Sequence, residues 1–302
     1  MQRRIQAFLD FLTVEKDYAD NTNAAYRNDL TQFLRYLESQ GMDSELGWHK
    51  VDKQNIVGYV MDLKEREYTS STVARKVAAV KSFFHYLMAE GTIKDDPTAT
   101  LDSPKVKKRL PRAISREDIE VLLAAPAAST SAKAQRDHAL LELLYASGMR
   151  VTELVSLDID DVDLESGAVR VHGKKTLSKE RLIGIDESAL DATRTYLNRA
   201  RVQLVRDPNV RALFLNHRGQ RLTRQGLWLI IKHYVDEVGI SGDVTPHTLR
   251  HSFAAHKLSQ GKSLQDIQKL LGHANISTTQ VYTHLTTEHV RRSYEKSHPR
   301  AK

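Results

Sequence analysis

The feature that most constrains this chain is the stretch from Asp102 to Arg112, which carries two prolines, five basic side chains and no apolar periodicity. Proline fixes its own φ and restricts the residue before it, so neither a long helix nor a central strand runs through such a segment. The stretch reads as an interdomain linker between residues 1–101 and 113–302. At 302 residues the chain is long enough for both parts to bury a core. A basic, extended strap suits a protein that wraps a phosphate backbone, and an ordinary solvated linker has the same composition.

Before the linker the pattern is helical. Tyr26, Leu30, Phe33, Leu34 and Leu37 recur at helical spacing, as do Val73, Val77, Val80, Phe84 and Leu87, so each set forms a stripe facing a core. Asp20-Asn21-Thr22 and Ser70-Ser71-Thr72 supply helix starts, Gly41 a stop, and Gly91 follows a fourth helical segment. An N-terminal helical bundle is expected. Arg27, Arg35, Lys64, Arg66, Arg75, Lys76 and Lys81 are expected on its surface, either as a patch for an anionic partner or as a solvated face.

After the linker, Ser115-Arg116-Glu117-Asp118 is a capping box opening a helix with Ile119, Leu122 and Leu123 on one face. A second helix, from about Arg136 to Ser147, is apolar on nearly every turn and ends at Gly148, immediately before Met149-Arg150. Val162–Leu164, Ala168–His172 and Arg181–Ile185 then read as three short strands of an antiparallel sheet. The rest is helical, so the fold class is mainly α with a small antiparallel sheet, without internal repeats or low-complexity tracts.

Composition narrows the chemistry. An excess of 45 Lys and Arg over 38 Asp and Glu gives a net charge of +7, which favours anionic partners, nucleic acid first. With no cysteine, a disulfide, a thiolate zinc site, an iron–sulfur cluster and a cysteine nucleophile are all excluded. Asp10, Glu15 and Lys16 interrupt the first residues before a secretory apolar core forms, and no apolar run reaches bilayer length. A cytoplasmic location with no membrane partner is expected.

Two local patterns carry candidate chemistry. In Thr245-Pro246-His247-Thr248-Leu249-Arg250, a capping hydroxyl and a proline at the first helical position put His247 and Arg250 on one face of a helix N-terminus. Free backbone amides there add to the two side chains and suit a phosphate oxygen, although a surface histidine and arginine have the same spacing. Ser263-Leu264-Gln265-Asp266 opens a short helix closed by Gly272, which puts His273 on a turn. Ser277-Thr278-Thr279-Gln280 is a further capping box, so Tyr282 falls in the second turn of the next helix.

Taken together, Ala146-Ser147-Gly148-Met149-Arg150, His247-Thr248-Leu249-Arg250-His251, Leu271-Gly272-His273 and Thr278-Thr279-Gln280-Val281-Tyr282-Thr283-His284 closely resemble the motif boxes of tyrosine site-specific recombinases. Their order and separations agree too, and the whole chain resembles the bacterial Xer type, through its ending Ser297-His298-Pro299-Arg300-Ala301-Lys302. The resemblance implies an N-terminal SAM-like core-binding domain and a C-terminal catalytic domain that together form a DNA clamp. It implies Tyr282 as nucleophile, with Arg150, a hairpin lysine, His247, Arg250 and His273 around the phosphate.

The chemistry requires such a set. Attack by a phenol on a phosphodiester places negative charge on non-bridging oxygens, which planar guanidinium forks can bind. His247 is the candidate base, and His273 is expected to hydrogen-bond the phosphate. The leaving 5′ oxygen needs a proton, for which Lys174 is preferred to Lys175 or Lys179 because it follows Gly173 and keeps the family spacing from Arg150. Lys175 stands where the family pattern has a second glycine. Glu153 matches a supporting acidic position, or is an ordinary helix-surface carboxylate.

No cofactor is implied, because a phosphotyrosyl bond conserves the energy of the broken phosphodiester. No metal is expected either, since His233, His247, His251 and His256 do not form a zincin helix, and His284 and His289 are expected at helix ends or in solvent. The partners implied are double-stranded DNA with a two-half-site sequence, a homo- or heterotetramer with a second Xer-type recombinase, and a septal DNA translocase as regulator. Thr287 to Lys296, with Val290 and Tyr294, is the segment expected to dock on a neighbouring protomer, or to pack on its own chain. The outcome implied is resolution of chromosome dimers through a Holliday junction; a mobile-element integrase or resolvase with the same chemistry is the alternative.

Overall fold

The structure, a computed structural model, describes residues 1–16, 18, 20–42, 47–101, 113–173 and 180–283. The chain divides into two compact units, Met1–Lys108 and Arg109–Lys302. The linker at 102–112, Lys174, Lys175 and Lys179, and the segment from Thr287 to Lys296 lie outside the described residues. Among the described residues no helix is long and apolar enough to cross a membrane.

Among its described residues the first unit holds four α-helices, α1 (Gln2–Val14), α2 (Asp20–Ser39), α3 (Lys53–Glu65) and α4 (Ser70–Ala89). Their inward stripes meet in one core containing Phe8, Phe33, Trp48, Tyr59, Phe83 and Phe84. Thr69, one residue before the expected start, caps α4 by accepting from the Thr72 amide. Asp52 and Asn55 form a reciprocal capping box on α3. One expectation is overturned. Lys76 is not on the solvated face but is 6% exposed, donating to Asp29 at 2.9 Å and Gln32 at 2.6 Å. The buried Asp29 carboxylate, which also takes Arg75, supplies the partner without which a lysine would not enter this interior.

The second unit begins with α5 (Arg116–Ala124), α6 (Ala132–Ser147) and α7 (Val151–Ser156). Ser115 caps α5 as the sequence predicts, whereas α6 starts a turn before Arg136, capped by Ser131. Helix α6 is buried on nearly all sides and forms the centre of the core, which explains its lack of a polar stripe. Strands β1 (Val162–Asp163), β2 (Ala168–Val171) and β3 (Arg181–Gly184) form an antiparallel sheet in that order. Val171 pairs with Arg181, so these two residues form the last ladder pair before the β2–β3 connection.

Helix α8 (Glu187–Thr195) continues through a π-helical turn, Tyr196–Ala200, into α9 (Arg201–Leu204). Then follow α10 (Arg224–Glu237), α11 (Pro246–Ser259) and α12 (Leu264–Leu271), and residues 277–283 are helical and form α13. The capping box expected from Ser277 does not form. Asn275 takes the role: its side-chain oxygen accepts from the Ser277 amide at 3.0 Å, and its carbonyl accepts from Thr278. Asparagine satisfies a free amide two residues on as well as serine does, and it stands two residues earlier.

Candidate active site

The site is assembled at three helix ends. Helix α6 stops at Gly148, where φ is +57°. A Cβ there would lie 2.3 Å from the Phe253 ring of α11, so only glycine permits both the left-handed turn and this approach. Two residues later Arg150 stands just before α7, and its backbone amide donates to Glu153 Oε2 at 2.7 Å. On α11, Thr245 caps the helix with Pro246 at its first position, as the sequence predicts, and the Thr248 side chain makes the cap reciprocal. His247 and Arg250 nevertheless have different surroundings: His247 is exposed, while Arg250 is 6% exposed.

Three guanidinium groups converge on the C-terminal end of α12. Arg181 Nε donates to the Leu270 carbonyl at 3.0 Å, Arg250 to Leu271 at 2.6 Å and Arg150 to Gly272 at 3.1 Å. A helix leaves its last carbonyls unpaired at the negative end of its dipole, so these cations satisfy acceptors that the backbone cannot. Arg250 also donates to the Gly148 carbonyl at 2.7 Å, tying the end of α6 to the end of α12. Burial, then the neighbouring Arg150, lowers the pKa of Arg250 to about 10, and it remains a cation at neutral pH.

Glu153 sits among these cations as an acceptor. Arg181 meets both of its oxygens, at 3.1 and 2.9 Å, and Arg150 Nη1 donates to Oε1 at 2.9 Å. Burial alone would raise its pKa, but the Arg181 fork, the Arg150 amide and the two positive charges outweigh burial and lower it. The alternative of an ordinary surface carboxylate is thereby excluded, since its side chain is 13% exposed.

Tyr282 is 2% exposed and packs with Phe253, Ile267 and Leu271. Its hydroxyl bonds Nδ1 of His251 at 3.0 Å, so the phenol's partner is the histidine that closes the His247–His251 motif. The His247 ring lies one step further away, 5.9 Å from that of His251. Burial, then His247 and Arg250, lowers the pKa of His251 to about 4, so it is neutral near pH 7. Burial raises the pKa of the phenol, and Arg250 and Arg150 partly offset this.

His273 stacks on Tyr282 with ring centroids 6.4 Å apart and planes 13° from parallel. Its Nδ1 bonds the buried Thr279 hydroxyl at 3.0 Å, which fixes the ring. Burial, then Arg250 and Arg150, lowers its pKa to about 4. The structure thus brings together Arg150, Glu153, Arg250, His273 and Tyr282, puts His247 at the rim beside His251, and does not describe Lys174.

Sequence reasoning gave no role to Arg181, Thr279 or His251. A signal exists for Arg181: the two-residue period of β3 puts it on the face of buried Ile183, where a charge demands a partner.

Residues 112–289 match the phage integrase family, and residues 5–91 match the N-terminal SAM-like domain of phage integrases. Tyrosine recombinase XerC of Herpetosiphon aurantiacus is 49% identical over 288 residues, covering 95% of this chain and 92% of that protein. Tyrosine recombinase XerD of Listeria monocytogenes is 43% identical over 304 residues, spanning both chains in full. A crystal structure of XerA recombinase, 27% identical, matches with a TM-score of 0.54 over 99% of each chain. The fold is shared with XerH bound to a palindromic difH substrate in a post-cleavage complex, with a TM-score of 0.74 at 21% identity over 91% of this chain and 79% of that one. The chain therefore belongs to the phage integrase family, as a site-specific tyrosine recombinase of the Xer type that cleaves and rejoins DNA.

Proposed function

We propose that Tyr282 attacks the scissile phosphodiester and holds the cut strand as a 3′-phosphotyrosyl bond until a 5′ hydroxyl reverses the reaction. One observation carries this reading: Tyr282 packs on Leu271, whose carbonyl binds Arg250 beside the Gly272 carbonyl that binds Arg150, with the His273 ring stacked on the phenol. Three guanidinium groups stand together with one carboxylate, Glu153, which bonds Arg150 and Arg181, and this excess of positive charge favours an anionic ligand.

In the reaction the phenolic oxygen forms a bond to phosphorus as the bond from phosphorus to the 5′ oxygen breaks. Arg150 and Arg250 bind the non-bridging oxygens, whose charge grows in the transition state, and His273 donates a hydrogen bond to them. The phenolic proton goes to a base, and the leaving oxygen takes a proton from Lys174. His251 is poorly matched to the base role, because a proton moves strongly uphill from a raised phenol to an imidazole near 4. It holds the phenol between reactions, and the exposed His247 beside it is the base when the ring turns to the phosphate.

The same reading places the enzyme in the cytoplasm on double-stranded DNA with a two-half-site sequence, gripped as a clamp by residues 1–101 and 113–302. Four protomers, of one kind or paired with a second Xer-type recombinase, exchange two strand pairs through a Holliday junction. Chromosome dimers are resolved at division, with a septal DNA translocase as regulator. High identity to relatives named XerC and XerD supports this over the mobile-element alternative.

The test is covalent trapping on a nicked suicide duplex, in which the 5′ fragment diffuses away. Wild type is expected to give an SDS-stable adduct, and Tyr282→Phe to bind the duplex within about twofold of wild type and give none. An adduct formed by Tyr282→Phe would remove Tyr282 from the role.

A further inference from the structure

We infer that Arg181 is a positioning residue for the phosphate-binding side of the site, holding Arg150 and the turn before His273 in register. The inference rests on the roles proposed above for Arg150 and His273. Arg181 is the first residue of β3 and pairs with Val171 in the ladder, so its backbone is fixed by the sheet. Its guanidinium makes three bonds that reach two other elements: two to the Glu153 carboxylate and one to the Leu270 carbonyl.

Glu153 in turn holds Arg150 through both the backbone amide and Nη1. Arg150 is therefore placed by a carboxylate that Arg181 orients. The Leu270 carbonyl lies three residues before His273, and the two carbonyls between them are taken by Arg250 and Arg150. Losing the Arg181 bond frees one end of that row. The packing is close as well: a Cβ on Gly272 would lie 2.9 Å from Arg181 Nη1.

Geometry also explains why arginine stands here. Only a planar fork meets both carboxylate oxygens and still directs Nε to a third acceptor, and a lysine ammonium cannot keep that arrangement. Side chains fixed in this manner lose catalytic power when displaced by about 1 Å, even where the charge remains.

The experiment is single-turnover cleavage of the suicide duplex at saturating enzyme, separating the rate constant of adduct formation from its amplitude. Arg181→Gln and Arg181→Lys are expected to slow the rate constant by about 100-fold and at least 10-fold, with DNA affinity within about twofold of wild type. A merely structural loss would lower the amplitude and leave the rate constant of the folded fraction unchanged. If Arg181→Gln fails to fold, Arg181→Lys decides, and a wild-type rate constant in that variant overturns the inference.

Glu153→Gln supplies a second reading. Because both residues act through one link, the Arg181→Gln/Glu153→Gln double variant is expected to be no more than about threefold slower than the worse single one, and multiplied losses would overturn the link. A duplex with a 5′-bridging phosphorothiolate needs no proton on its leaving group. The loss in Arg181→Lys is expected to persist on it, and full rescue would move Arg181 to the leaving-group side. Arg150→Ala run in parallel separates the two ideas: if it cleaves at the wild-type rate, the reading of the site fails whatever Arg181 does.

Discussion

His251 and His273 flank the Tyr282 ring, and both are held neutral at a pKa of about 4, chiefly by burial. The guanidinium groups of Arg150, Arg181 and Arg250 lie around them, and their positive charge further disfavours the imidazolium form. Unfolded, each histidine returns to about 6.5, so between pH 4 and 6.5 the unfolded chain binds more protons than the native one. Their contribution to stability is therefore complete above pH 6.5 and is lost as pH falls towards 4. Glu153, whose pKa is lowered from 4.5, adds to this loss only at still lower pH. A melting temperature about 5 °C lower at pH 5 than at pH 7 is expected, with at least half of that difference gone in a His251→Gln/His273→Gln variant. A pH-independent melting temperature in wild type, or an unchanged slope in the double variant, would remove the two histidines as its source.

At the scale of elements, the site depends on how closely α11 approaches the end of α6. Alanine at position 148 would have to adopt φ +57° and displace the Phe253 ring, which lies 2.3 Å from the added carbon. Gly148→Ala is expected to cost roughly 2–4 kcal/mol, seen as a lower urea midpoint at an unchanged m-value. Adduct formation should slow as well, since the Gly148 carbonyl anchors Arg250. A midpoint within error of wild type would show that the turn adapts. The sequence marks Gly148 as a helix end because glycine tolerates a left-handed backbone, but it cannot name Phe253, since spacing reveals which face is buried and not what it meets. The same boundary runs through the site. Arg150, Arg250, His273 and Tyr282 are legible from linked motifs, whereas Arg181 and His251 take their roles from partners 28 and 31 residues away in the chain. The buried Lys76 belongs with them, because its sequence position looks solvated until Asp29 is brought to it.

At the scale of the whole molecule, each unit carries its own core. The buried apolar residues of the first unit run from Ile5 to Ile93, with Leu101 packed at the edge, and those of the second unit's main core begin at Ile119. Among the described residues none is shared between the two clusters, which predicts that residues 1–101 fold without the second unit. Four helices around a cluster of Phe, Tyr and Trp rings bury enough apolar surface for a domain of this size to fold alone. A fragment of residues 1–101 is therefore expected to unfold in urea as one cooperative transition, with an m-value on the order of 1 kcal/mol/M. Trp48 supplies the probe, being the only tryptophan in that fragment and 3% exposed, with its ring nitrogen donating to the Met1 carbonyl. Its emission should be blue-shifted in the native fragment and move to the solvated position in the same step that circular dichroism loses helix. A Trp48 emission already solvated without urea would mean that the first unit needs the second to fold, and the linker would then join two parts of one folding unit instead of two domains.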